Sequence, residues 1–315
     1  MADLDLPATD PRDELVAVLM AGGTGSRFWP ASTEERPKQF LSLFGERSLL
    51  QQARDRLDGL VPPERILVVT NEAFADLVRL QLPELPPDNV IGEPARRDTA
   101  AAVTLAAQLA AHRHGNPIMA LFTADHVIGP VEAFQRSVLS AARGASAGEA
   151  LYTFGIRPDH AATGYGYLEL GATLGRDGDV PHHDLSRFVE KPDLATAQEY
   201  VAGGSHLWNS GMFVWRAGLI LEELERQLPG HCAAIAPAVE RDGEPDFQHA
   251  LAQAFEPLPK ISIDFGVMEN ARSVRCVEAD FSWADVGSFV SLADHLPVDD
   301  DGNARHRGRV FSLDA

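Results

Sequence analysis

Along the first half of the chain, compact apolar runs alternate with stretches of helical spacing. Residues 15–20 form an apolar run that ends at Gly22 and Gly23, the pattern of a buried strand entering a turn. Residues 48–60 place apolar side chains at helical intervals, with Ser48 at the N-cap. Residues 66–69 read as a second strand, and Asn71 caps a helix over 72–82. Val90 and Ile91 precede a turn at 92–94, and an alanine-rich helix over 99–112 is opened by Asp98 at a capping position. Residues 118–122 are a third compact apolar run, closed by Ala124-Asp125-His126. A helix over 131–143 and a strand over 151–156 follow. This alternation predicts an α/β fold with a Rossmann-like, doubly wound, mostly parallel sheet.

Beyond Gly155 the pattern changes. Residues 164–169 and 187–192 read as strands or hairpins inserted as a sub-sheet beside the main one. A segment at 207–215, a helix over 219–228 and a segment at 261–270 come later. The expected organisation is a mobile leader over 1–14, one domain over 15–295, and a short tail over 296–315.

Composition adds exclusions. The formal net charge of -19 across 315 residues disfavours nucleic acid and anionic membranes as partners. Two cysteines, Cys232 and Cys276, make neither a disulfide framework nor a zinc knuckle. A cytoplasmic location is expected, with no signal core at the N-terminus and no apolar run of membrane-spanning length.

Several segments carry candidate chemistry. Ala21-Gly22-Gly23-Thr24-Gly25-Ser26-Arg27 follows the first strand. Glycines there let backbone N–H groups approach phosphate, and Arg27 and Lys38 add positive charge. The segment lacks the GK[ST] of a Walker loop and the third glycine of the dinucleotide fingerprint, and the same glycines would serve a plain turn. Asp125 stands at a strand end, where carboxylates face the ligand crevice and suit magnesium bridged to phosphates; capping the next helix is the alternative. His126 reads as structural. Glu190-Lys191-Pro192 offers a lysine beside a carboxylate, Asn209 a neutral amide, and Asp285 a second distant carboxylate. Each alone is compatible with a surface ion pair, a turn or a cap.

In order, however, these segments resemble the signature of mannose-1-phosphate guanylyltransferases. The set comprises Ala21 to Pro30, Pro37-Lys38-Gln39-Phe40, Glu93-Pro94 with Arg97-Asp98-Thr99-Ala100, Ala124-Asp125-His126 and Gly164-Tyr165-Gly166-Tyr167. It continues with Phe188-Val189-Glu190-Lys191-Pro192, Trp208-Asn209-Ser210-Gly211-Met212-Phe213, the Ser262 to Glu269 segment and Trp283-Ala284-Asp285-Val286-Gly287. An ordered set over about residues 15–290 is specific. The resemblance implies guanylyl transfer from GTP to mannose 1-phosphate, giving GDP-mannose and pyrophosphate. It implies that Gly22, Gly23, Gly25 and Arg27 cradle the nucleotide, with Lys38 on its phosphates. It places Arg97, Asp98 and Thr99 near the base, and Asp125 and Asp285 on a magnesium or other divalent ion. It assigns Gly166, Glu190, Lys191 and Asn209 to the sugar phosphate, with Lys191 aiming the attacking phosphate and Arg27 and Lys38 facing the departing pyrophosphate.

The sequence departs from that pattern at Arg96, where glycine is common, and at Thr123, where proline is common. It also ends soon after Arg309-Val310-Phe311, where family members continue into a β-helix, so 296–315 can equally be the beginning of that element. No cupin-like isomerase domain follows in the sequence, so a bifunctional form is not expected. A homodimer is compatible with the sequence. Rival readings are a nucleotidylyltransferase for another sugar 1-phosphate or NTP, a catalytically inactive regulatory homologue, and a Rossmann dehydrogenase. Retention of both carboxylates argues against the second, and the poor glycine fingerprint against the third.

Overall fold

In the computed structural model, the described residues are 3–23, 28–29 and 31–286. Gly25 and Arg27 therefore lie outside the described residues, as does the expected tail over 296–315.

A nine-stranded sheet organises the chain. Its strands are β1 (Leu15–Ala21), β2 (Ile66–Asn71), β3 (Val90–Glu93), β4 (Ile118–Thr123), β6 (Leu151–Ile156), β7 (Tyr167–Asp177), β8 (Val180–Val189), β9 (His206–Arg216) and β10 (Val274–Glu278). The order is β3-β2-β1-β4-β9-β6-β10-β8-β7, with β7 also pairing β9. Seven of these strands run in one direction, and β8 and β9 run against them. The expected mostly parallel, doubly wound sheet is therefore present. The hairpin of β7 and β8 is hydrogen-bonded into the same sheet through β10 and β9.

The continuous apolar runs follow from burial on both faces. In β1, Leu15, Ala17 and Leu19 join one core while Val16 and Val18 join the other. The first face is covered by α1 (Leu49–Asp55), α2 (Ala75–Gln81) and α4 (Val131–Ser146). The second is covered by α3 (Asp98–His114), α6 (Ala217–Gln227), α7 (Pro229–Val239) and α8 (Phe247–Phe255). Helix α5 (Leu194–Gly203) follows β8. Because α1 and α3 lie on opposite faces, the winding reverses between β1 and β4, and a crevice opens at their carboxyl ends.

Local signals hold with adjustments. Ser48 caps α1 in a reciprocal capping box with Gln51. Asn71 accepts from the Ala73 N–H at 3.1 Å, but it opens a 3-10 turn over Glu72–Phe74 that leads into α2. The expected turn at 92–94 begins as strand β3, because Gly92 packs against Glu72, whose Cα would lie 2.9 Å from an added Cβ. Asp98 does not cap α3 in the usual way. It is the first helical residue, with φ of 65°, and its carboxylate accepts only from the adjacent Thr99 N–H at 2.8 Å. Within the expected leader, the Leu4 N–H donates to Arg176 O at 2.7 Å and Pro11 is buried in a 3-10 turn over Pro11–Glu14. No helix among the described residues is long and apolar enough to cross a membrane.

Candidate active site

The crevice is assembled by strand ends. After β1 the chain turns at Gly22 and Gly23, and the Gln39 amide donates to Ala21 O at 2.7 Å and Gly23 O at 2.9 Å. Gln39 belongs to a 3-10 turn over Lys38–Phe40. Phe40 anchors that turn in the core beside Phe74, with ring centroids 5.8 Å apart. Three consecutive residues thus do three jobs: Phe40 fixes the turn, Gln39 holds the glycine loop, and Lys38 projects its ammonium.

Lys38 does not reach toward the glycine loop. Its Nζ lies 3.1 Å from Asp125 Oδ2 and 3.3 Å from Asp285 Oδ1, with its side chain only 4 % exposed. The two acids meet because a second, two-stranded sheet pairs β5 (Val127–Gly129) antiparallel with β11 (Ser282–Ala284). In its register Ala284 faces Val127, which brings Asp285 beside Asp125. Burial opposes ionisation of Asp125, but the Lys38 ammonium at hydrogen-bond distance offsets it and the carboxyl is held below its ordinary value. His126 is held by its neighbours and also lines the smaller cavity. Its Nδ1 accepts from Trp283 Nε1 at 2.9 Å and bonds Thr123 Oγ1, and burial lowers its pKa, favouring the neutral ring.

Two cavities flank this carboxylate pair. One, of about 380 Å³, is lined by Gly22, Gly23, Arg97, Asp98, Thr99 and Asp125, together with Glu93, Arg96 and Lys260. The other, of about 200 Å³, is lined by Gly166, Glu190, Asn209 and Asp285, with Tyr165, Asp264 and Trp283 beside them. Both are lined by Met20, Thr99 and Thr123, so they adjoin. The structure therefore gathers all the described candidate residues around one crevice, with Lys191 beside Glu190.

Arg97 is the departure. Its guanidinium donates to Phe255 O at 2.8 Å and Glu256 O at 2.7 Å, so it ties α8 to the start of α3. Lys191 pairs with Glu190 and has φ of 46°, a backbone strain typical of sites that hold a side chain in place. Burial lowers the Lys191 pKa, but the Glu190 carboxylate more than compensates, so the ammonium is held above its ordinary value. Gly166 leaves room for Glu190, because an added Cβ would lie 2.6 Å from Glu190 Oε2 and the carboxylate would have to shift.

Two acids escaped the sequence reading. Glu93, 9 % exposed, is pushed up to about 8 by burial and then by Asp98. A Cβ on Gly22 would lie 3.3 Å from its Oε2, which puts the acid against the glycine loop. Asp264 is raised to about 6 by burial and then by Glu190. Both fall in quoted motif segments, Glu93-Pro94 and Ser262 to Glu269, and that was the only sequence signal for them. Lys260 had none.

The profile of the family described as "Nucleotidyl transferase" matches residues 16–301. This chain belongs to the nucleotidyl transferase family. A mannose-1-phosphate guanylyltransferase of Escherichia coli K12 is 43% identical to this nucleotidyl transferase over 301 residues, covering 94% of this chain and 62% of the relative. A xanthan biosynthesis protein of Xanthomonas campestris is 42% identical over 306 residues, covering 96% and 63%. The chain thus spans just under two thirds of the length of these curated relatives. A crystal structure from Thermus thermophilus, described as a mannose-1-phosphate geranyltransferase, superposes with a TM-score of 0.79 at 37% identity, over 89% of this chain and 78% of that one.

Proposed function

We propose that this chain transfers a guanylyl group from GTP to mannose 1-phosphate, releasing pyrophosphate. The observation that carries the reading is the carboxylate pair Asp125 and Asp285, facing one ammonium at the junction of two cavities. A phosphate monoester is already a nucleophile, so the reaction needs alignment and charge compensation rather than a general base. An oxygen of the sugar phosphate bonds to the α-phosphorus, and the bond from that phosphorus to the β-phosphate oxygen breaks, with pyrophosphate carrying away the electron pair.

The larger cavity takes the nucleotide. Gly22 and Gly23 let its phosphates approach the backbone, and Gly25 and Arg27, which lie outside the described residues, are assigned to the same phosphates from the sequence motif. Asp98 and Thr99 line the same cavity, and Arg97 holds its wall. Glu93 is the group we assign to the base, since a carboxyl that gives up its proton when guanine binds can meet the N1–H and N2–H₂ donors with two oxygens. The smaller cavity takes the sugar, with Glu190 and Asn209 toward hydroxyls and Lys191 toward the phosphate. Lys38 leaves its two carboxylates for the triphosphate.

Among the described residues no cluster of three or more metal-binding side chains is present. Two carboxylates facing one point still fit a hard divalent ion such as magnesium, whose remaining ligands come from substrate phosphates and water. Asp125 and Asp285 would hold it, and it would neutralise charge developing on the phosphates. Two buried cysteines without a disulfide agree with a cytoplasmic location. We retain one domain over 15–295, and a homodimer as the assembly to test.

The test is pyrophosphate release across four NTPs and several sugar 1-phosphates. We expect GTP with mannose 1-phosphate to give the highest kcat/KM, with a sharp base preference and a looser sugar preference. Base discrimination rests on leaving buried polar groups unpaired, whereas mannose and glucose differ in one hydroxyl, worth about tenfold. A clear preference for UTP or ATP defeats the guanylyl assignment.

A further inference from the structure

Asp264 faces the smaller cavity from a short helical turn, Ile263–Gly266, which we label α9 and which is capped by Ser262. Its Oδ1 accepts from Asn209 Nδ2 at 3.1 Å. The sense of that amide is fixed from the other side, because Asn209 Oδ1 accepts from Thr153 Oγ1 at 3.0 Å and from the Gly211 N–H at 3.2 Å. Asn209 must therefore present its NH₂ to Asp264. Among the described residues Asp264 has no other side-chain hydrogen bond and no ion pair with a basic group. The other two carboxylates of the cavity are different, since Glu190 is already matched by Lys191 and Asp285 by Lys38. Asp264 is thus a half-buried acid with acceptor capacity left over, beside a fixed amide, in a cavity of about 200 Å³.

Buried acceptors are filled in folded proteins or in their complexes. A neutral donor suits this one, because a phosphate would add like charge beside Glu190 and Asp264 itself. Resting on the proposed function above, we infer that Asp264 is a specificity-determining residue that accepts a hydrogen bond from a ring hydroxyl of the sugar 1-phosphate. The segment that carries it also borders the nucleotide side. The Ile263 N–H donates to Thr99 Oγ1 at 2.8 Å, and the Ala100 N–H to Ile261 O at 3.1 Å. The acid is therefore fixed relative to both cavities and does not depend on a loop closing.

The experiment compares wild type with Asp264→Asn and Asp264→Ala on the sugar 1-phosphate that the wild type prefers and on its monodeoxy analogues. Asp264→Ala should raise the sugar-phosphate KM about tenfold to a hundredfold, the loss expected for a hydrogen bond to a charged group, with the KM for the NTP changed less than about threefold. For one deoxy analogue, the wild-type discrimination should vanish in Asp264→Ala and be reduced in Asp264→Asn, while discrimination at the other hydroxyls persists. Asp264→Asn keeps the shape of the side chain, so it answers the question if the alanine variant does not fold. Equal increases in both KM values, or an unchanged deoxy pattern, overturn the proposal. A wild type that prefers another sugar refutes the mannose reading alone, because the same comparison then runs on that sugar.

Discussion

Replacing Glu93 with Gln tests whether the wall of the nucleotide cavity is built at the expense of stability. The carboxyl is 9 % exposed, and burial and then Asp98 push it from an ordinary 4.5 to about 8. The folded chain thus keeps a proton that the unfolded chain releases over this window. Stability contributed by the protonated acid is complete below about 4.5 and falls as pH rises toward 8. At about 1.4 kcal/mol per pH unit, the loss at pH 7 is about 3 kcal/mol. Glutamine has nearly the same shape and no charge to expel. Glu93→Gln should therefore be near neutral at pH 5 and stabilising by about 1–3 kcal/mol at pH 8, after allowing for an amide that lacks a full set of partners. Urea unfolding of both proteins at pH 5, 6, 7 and 8 measures the difference. A stability difference that stays constant over that range refutes the reasoning. The same substitution should lower kcat/KM for GTP by about tenfold or more, since an amide, unlike a carboxyl that gives up its proton when guanine binds, cannot accept from both guanine donors. A variant more stable and less selective would be a stability–function trade.

Asp125→Asn and Asp285→Asn should each lower turnover by about a hundredfold or more, and excess chelator should abolish it; full activity in chelator refutes the two-carboxylate metal site. Lys191→Ala should raise the KM for the sugar phosphate more than that for GTP, and Lys38→Ala should do the reverse, so equal effects of both on both substrates contradict the division of labour. Gly166→Ala drives a methyl to 2.6 Å from Glu190 Oε2 and 3.3 Å from Asn209 Cβ. It should raise the sugar-phosphate KM about tenfold, as expected for a displaced charged hydrogen-bonding group, with GTP use retained; an unaltered sugar KM means Glu190 does not serve the sugar.

What the sequence disclosed depended on whether a residue's role is local. Strands buried on both faces show as uninterrupted apolar runs, which is why β1, β2, β4 and β6 were legible. Strand β3 was read as a turn because its glycine signals punctuation, whereas Gly92 is there to let Glu72 approach. Helix α7 begins at Pro229 and carries Pro237 within it, and no element was read there. Arg97 was read as a ligand contact, and nothing in its neighbourhood could reveal carbonyls 158 and 159 residues away. The meeting of Asp125 with Asp285 came from the ordered motif set, and its cause, the pairing of β5 with β11, is tertiary. Glu93 and Asp264 were missed for a related reason: an acid in sequence is read as solvated, and only burial makes it a candidate.

Burial also bears on how a chain of formal charge -19 admits two anions. Its acidity is largely withheld from the crevice. Lys38 compensates Asp125 and Asp285, Lys191 compensates Glu190, and Glu93 carries its own proton at neutral pH. An incoming phosphate therefore competes for ammonium groups that are already in place and need only exchange partners, which costs less than recruiting a solvated lysine. Among the acids that line the smaller cavity, Asp264 is the one with no cation at ion-pair distance among the described residues. In that cavity the carboxylate left bare is fitted to a ligand group without charge, and on a sugar phosphate those groups are the ring hydroxyls.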